Sequence, residues 1–264
     1  MPVIDHDDLQ IHYSERGSPD GVPIVLVHGL LFSARMFHRL AEDLRGHRIL
    51  LVDVRGHGSS SKPDDPAAYS WSSLAGDVRA VLDHLDIEQA VVGGLSLGAN
   101  VTLAFANDTP ERTAGMIVEM PVLDDGQPFA RRVFTALATT LSTTAPVLGP
   151  LTRRTAKLPV PRSIPELAAL RDLLSLEPRS GAALLHGLLG DHLVLEDLDA
   201  DRLKMPALVI GHRGDPLHPL SDAEALVAHL PDARLDVRHT ILDYRVLTRR
   251  QALLLKRFVR EAGR

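Results

Sequence analysis

Short continuous apolar runs recur along this chain with helical patterns between them, and that alternation restricts the fold more than any single motif. The runs are PIVLVH from Pro23 to His28, RILLVDV from Arg48 to Val54, Ala90 to Gly94, Ala114 to Glu119, and PALVIG from Pro206 to Gly211. Strands buried on both faces of a parallel sheet read this way. Leu9 to Glu15 alternates as a strand, and a short strand is expected from Arg234 to Val237. Trp71, Leu74, Val78, Val81, Leu82 and Leu85 recur at helical spacing, with Ser70, Ser72 or Ser73 available as the cap. Further helices are expected from about Leu97 to Asn107, from Ser221 to Leu230 and from about Thr248 to Glu261. The fold class is therefore α/β, a mostly parallel central sheet with helices on both faces.

The rhythm breaks once. From about Pro121 to Lys204 no strand pattern appears, and several helices are punctuated by Pro146, Pro150, Pro159, Pro161, Pro165 and Pro178. Residues 1–120 and 205–264 are thus expected to form one core, with residues 121–204 inserted as a helical lobe after the strand Ala114 to Glu119. A chain of 264 residues, 45% hydrophobic and 24% charged, has ample material for such a core. A net charge of -5 gives no electrostatic footprint for nucleic acid or an anionic membrane, so a neutral small molecule is the expected partner. The chain has no cysteine, hence no thiolate nucleophile and no cysteine metal site. The start MPVIDHDDLQ is acidic and lacks the apolar segment of an export signal, and no apolar run approaches the ~20 residues of a membrane span, so a cytoplasmic protein is expected. Both a monomer and a homodimer fit.

The chemistry centres on GGLSLG, Gly93 to Gly98. A nucleophile on a sharp strand-to-helix turn needs small neighbours two residues to either side, because larger side chains there collide. Gly94 and Gly98 are those neighbours of Ser96. The same turn aims the Leu97 N–H and the start of the next helix at negative charge developing beside Ser96. The second oxyanion donor is assigned to the Leu30 N–H, in the loop after the strand ending Val27-His28-Gly29. His28 is read as supporting that loop, and Asp53, Arg55 and His57 as fixing theirs by hydrogen bonds and charge pairs.

The run ending in His28-Gly29, DVRGHG at Asp53 to Gly58, GLSLG at Gly94 to Gly98 and VIGHRGDPLHP at Val209 to Pro219 together resemble the α/β-hydrolase superfamily. The resemblance spans nearly the whole chain and implies that the helical insertion is a cap over the active site. It also implies the chain order Ser, acid, His. Asp215 stands where the resemblance puts the acid, with Asp124 and Asp125 as fallbacks. Beyond Asp215 lie His218, His229 and His239. His218 shares the acid's own loop and His229 sits within a helix, so neither is expected to reach Ser96, and His239 is chosen as the base. Family members commonly carry a longer, glycine-containing loop before the base, which Asp236-Val237-Arg238-His239-Thr240 lacks. A strand ending early would swing His239 into place; one running through Arg238 would make it a sheet-edge side chain.

With these parts the expected reaction is acyl transfer to water on a small apolar ester, lactone or thioester, with no cofactor and no metal. His186 and His192 lack a metal-ligand spacing. Leu31, Phe32 and Met120, with leucine- and alanine-rich cap segments, are expected to form an apolar pocket. Serine at the elbow disfavours the dehalogenases and epoxide hydrolases that this fold builds on aspartate. C–C bond hydrolysis and cofactor-free perhydrolysis use the same triad and stay open, as does a ligand-binding protein that lacks a working base.

Overall fold

The structure is a computed structural model that describes residues 2–155, 177–239 and 248–262. Eight strands form one sheet in the order β1-β2-β4-β3-β5-β6-β7-β8. They are β1 (Val3–His6), β2 (Leu9–Gly17), β3 (Pro23–Val27), β4 (Arg48–Asp53), β5 (Ala90–Leu95), β6 (Thr113–Glu119), β7 (Ala207–His212) and β8 (Ala233–Arg238). β1 and β2 pair antiparallel, as do β2 and β4; every pairing from β4 to β8 is parallel. β1 has no counterpart among the expected strands. Its four residues, VIDH, carry too little pattern and are ordered by pairing with β2.

Among the described residues the α-helices are α1 (His38–Asp43), α2 (Trp71–His84), α3 (Leu97–Asp108), α4 (Gln127–Thr155), α5 (Pro178–Gly190), α6 (Leu220–His229) and α7 (Thr248–Ala262). Alternate side chains of one strand point to opposite faces. Val25 and Val27 of β3 therefore join Leu74, Val78 and Val81 of α2 on one side. Ile24 and Leu26 join Leu40 of α1 and Phe258 of α7 on the other. The chain leaves β3 through α1 on one face, crosses to β4, and returns to β5, which continues into α3 on the opposite face. The crevice between the ends of β3 and β5 is thus the point where the winding reverses, the usual ligand position in open α/β sheets.

Two cap helices, α4 and α5, pack on each other between β6 and β7. Pro146 and Pro150 lie inside α4 instead of ending it. Standing four residues apart they fall on one face, so the two missing N–H groups weaken one side of the helix while the other continues. Pro159, Pro161 and Pro165 fall outside the described residues. Among the described residues no helix is long and apolar enough to cross a membrane.

The loop after β4 is fixed from within. Asp53 accepts the Ala34 N–H at 2.7 Å, the Ser59 N–H at 3.0 Å and the His12 Nδ1–H at 2.8 Å. Burial alone would raise its carboxyl, but the bond from His12, the nearby His28 and these backbone donors outweigh it and hold the group well below the ordinary carboxylate range. His57, 2% exposed, is also lowered, to about 3, which for an imidazole favours the neutral form, first by burial and then by His28, whose ring lies 4.7 Å from its own. A depressed imidazole binds fewer protons folded than unfolded between that value and ~6.5, so stability falls as the pH drops through this window. At pH 5 the loss from this one residue is about 2 kcal/mol. Urea unfolding at pH 7.5 and pH 5 is expected to show a smaller drop for His57→Gln than for the wild type; equal drops would show that His57 does not carry the acid sensitivity.

Candidate active site

β5 ends in a turn that only its sequence permits. A Cβ on Gly98 would stand 2.0 Å from the Val27 carbonyl oxygen, and one on Gly94 would stand 2.4 Å from the Gly98 carbonyl. With both positions bare, Ser96 takes φ 54° and ψ -112°, outside the ordinary regions for an L-residue, and α3 begins at Leu97. Such a conformation costs on the order of 1–3 kcal/mol and persists only where its surroundings fix it. Here the Ser96 N–H donates to the Glu119 carbonyl at 2.9 Å, extending the β5–β6 pairing into the turn. The Glu119 carboxylate is buried and accepts from His212 Nε2 and Gln251 Nε2, each at 2.9 Å. Adjacent strand β7 and helix α7 are thereby fastened to the elbow.

Ser96 Oγ lies 2.8 Å from His218 Nε2, and His218 Nδ1 lies 2.8 Å from Asp215 Oδ2. A carboxylate only accepts, so Nδ1 carries the proton and Nε2 is left to receive the serine hydroxyl's. The expectation that His218 does not reach Ser96 is therefore corrected. The cause is local. Asp215 Oδ1 accepts the N–H groups of Leu217 at 2.9 Å and His218 at 3.2 Å, curling DPLHP into a turn that returns the imidazole onto Oδ2. Pro216 and Pro219 flank the turn, and Pro219 leads directly into α6. One short rigid segment thus presents acid and imidazole together, with side chains 8% and 10% exposed. Burial raises the Asp215 carboxyl, but the bond from His218, its charge and the two backbone donors prevail and hold it below its ordinary value.

His239 is met elsewhere. β8 runs through Arg238, which pairs with His212 of β7 and whose carbonyl accepts the Arg213 N–H at 2.9 Å, and His239 follows as an exposed residue. That is the sheet-edge outcome, and residues 240–247 beyond it lie outside the described residues. Asp124 and Asp125 are exposed; the Asp124 carboxylate caps the Leu195 N–H at 3.1 Å. Asp222 binds the same loop from beneath, accepting the N–H groups of Leu123, Asp125 and Gly126.

A cavity opens directly on Ser96. Leu30 and Leu97, the residues whose N–H groups are expected as oxyanion donors, both line it. As the first residue of α3, Leu97 has an N–H without an intrahelical acceptor. Leu31, Phe32 and Met120 are not among the lining residues. Leu31 and Met120 have left-handed backbones, φ 66° and 57°, at the turns leaving β3 and β6, and Met120 is only 6% exposed. Phe32 stands over Gly29, where a Cβ would meet its Cδ2 at 3.5 Å. The walls instead come from Trp71 at the start of α2, Val122, Phe134 of α4, and Leu185, Leu188 and Leu189 of α5. Trp71 sequence reasoning had assigned to helix packing alone. Its indole N–H donates to the Asp191 carbonyl and its backbone N–H to the Asp191 carboxylate, both at 2.7 Å, so the end of α5 fixes it as a wall. Among the described residues no three His, Asp or Glu side chains converge as metal ligands.

Comparison with known proteins agrees with this fold. The alpha/beta hydrolase fold family matches residues 22–152. The chain is 27% identical over 234 residues to 3-oxoadipate enol-lactonase 2 of Acinetobacter baylyi, covering 87% of this chain and 85% of that protein. It is 37% identical over 116 residues to a haloalkane dehalogenase of Agrobacterium fabrum, covering 44% of this chain and 37% of that one. The crystal structure of the enol-lactonase from Burkholderia xenovorans LB400 superposes with a TM-score of 0.76 at 22% identity, covering 97% of this chain and all of that one. With the sheet order, the glycine-flanked elbow and the inserted cap helices, these likenesses identify the chain as a member of the α/β-hydrolase superfamily.

Proposed function

We propose that the protein is a serine hydrolase that cleaves a small, largely aliphatic carboxylic ester or lactone through a seryl-ester intermediate. The observation that carries this reading is the unbroken relay from Asp215 Oδ2 through His218 to Ser96 Oγ, 2.8 Å at each step. His218 Nε2 takes the Ser96 proton as Oγ attacks the carbonyl, and the Leu30 and Leu97 N–H groups receive the oxyanion. The protonated imidazole, stabilised by Asp215, then gives its proton to the leaving oxygen. Water repeats the sequence on the acyl-serine, again with His218 as base, and releases the acid. A hydroxyl nucleophile suits acyl transfer, whereas the alkyl-enzyme ester of a dehalogenase needs a carboxylate at the elbow. The imidazole on Ser96 supports catalysis over a ligand-binding role.

The test is a series of 4-nitrophenyl esters from acetate to decanoate, run beside labelling with a serine-directed fluorophosphonate. Turnover of aliphatic esters and label on Ser96, both lost in Ser96→Ala, are the expected results. A folded wild type that neither turns over nor labels would overturn the reading in favour of a binding protein. Label without ester turnover would move it to C–C bond hydrolysis or perhydrolysis.

A further inference from the structure

The cavity on Ser96 is largely apolar, and beside Ser96 itself Asn100, Gln127 and Arg131 bring polar groups to it. Arg131 supplies the only cation among the described lining residues, and it does so from α4, one turn after Gln127 and one turn before Phe134, so that the three share one helix face toward the cavity. The guanidinium carries five N–H donors. Its one protein partner among the described residues is His192 Nε2, 2.6 Å from Nη1. Because guanidinium only donates, that imidazole nitrogen must be the unprotonated one, and the pair leaves the positive charge uncompensated. No carboxylate among the described residues lies within ion-pair distance of it, in contrast to Arg48 on Glu15 and Arg55 on Asp77. Nearby acids are committed elsewhere: Asp191 to the Trp71 N–H and Asp124 to the Leu195 N–H. The Gln127 carboxamide reaches the Leu193 carbonyl only at 3.4 Å, so a second donor on the same face is weakly held.

Resting on the serine-hydrolase reading, we propose that Arg131 binds a carboxylate at the distal end of the acyl chain, and that the favoured substrates are hemi-esters or lactones carrying a second acidic group. The aliphatic part of the acyl chain lies along the leucines of α5 while its carboxylate takes the open edge of the guanidinium fork, a planar match that a lysine would not give. Arg131 is itself exposed, so the contact sits at the wet rim of the cavity and acts chiefly on KM.

The experiment compares mono(4-nitrophenyl) esters of glutaric, adipic and pimelic acids with neutral 4-nitrophenyl esters of the same acyl length. The wild type is expected to prefer at least one hemi-ester by roughly five- to tenfold in kcat/KM, expressed in KM and reduced by added salt. Arg131→Gln is expected to abolish that preference and Arg131→Glu to reverse it, with glutarate or adipate inhibiting the wild type more strongly than either variant. Neutral esters turned over with no hemi-ester preference, or a preference unchanged in Arg131→Gln, would overturn this inference and leave the hydrolase reading standing. Absence of both ester turnover and label on Ser96 would remove the hydrolase reading and this inference with it.

Discussion

His218→Ala is expected to lower kcat on any ester the wild type hydrolyses by about 10⁴- to 10⁶-fold with little change in KM, while His239→Ala stays within a few fold of wild type. The effect is this large because one imidazole performs both proton transfers, and without it neither Ser96 nor the deacylating water is activated. Ser96→Ala should match it, and the double variant Ser96→Ala/His218→Ala should be no worse than either single one, since residues acting as a unit are not additive. Asp215→Asn should cost about 10⁴-fold, because a neutral amide both removes the charge that stabilises the imidazolium and permits the wrong tautomer. Single-turnover kinetics, with active-site titration of the wild type, check all five variants. A loss in His239→Ala with His218→Ala active would return the base to the chain after β8 and make the 2.8 Å contact at Ser96 incidental.

The two histidines show where sequence reasoning works and where it stops. The βα alternation and the glycines around Ser96 are legible because each is a local demand: buried strands must be apolar, and Gly98 must be bare where a Cβ would fall 2.0 Å from the Val27 carbonyl. Asp215 is reached through the resemblance, which puts the acid in the loop after the apolar strand ending at Gly211. His218 was discarded on sequence proximity, as if a residue three places from the acid must point away. The signal that argued otherwise was present in DPLHP. Asp followed by Pro starts a tight turn, and an Asp that caps the second and third N–H groups after it folds the third side chain back toward its own carboxylate. The pocket was less legible. Leu31 and Phe32 directly follow Leu30, and Met120 directly follows β6, but the backbone turns left-handed at Leu31 and Met120, and Phe32 stands over Gly29. Its actual walls come from α2, α4 and α5, whose meeting depends on long-range packing that no local pattern encodes.

Outside the site, Arg55→Ala is expected to cost about 3–5 kcal/mol of stability, lowering the melting temperature by about 10 °C. Arg55 lies in the loop after β4 and grips Asp77 of α2 with Nε and Nη2, 3.0 and 2.7 Å from Oδ1, while its own backbone N–H donates to Oδ2 at 2.8 Å. Both side chains are buried, 4% and 0% exposed, so neither charge has water to fall back on. Burial already pushes the Asp77 carboxyl above its ordinary value, with Arg55 opposing. Removing the guanidinium leaves the buried Asp77 carboxylate without its arginine partner, so it must be either held desolvated or protonated. The sign of the pH dependence follows. A carboxyl raised in the folded state binds more protons folded than unfolded, so the deficit of Arg55→Ala should shrink as the pH falls toward that raised value and be largest at neutral pH. Arg55→Met combined with Asp77→Leu removes both charges, and it should recover most of the loss because an apolar pair of similar volume carries no desolvation penalty. Denaturant unfolding of the three variants at pH 7.5 and pH 5 separates the accounts. A deficit independent of pH and not restored in the double variant would mean that Arg55 stabilises by packing against the Ala68 carbonyl and Tyr69 loop rather than by neutralising Asp77.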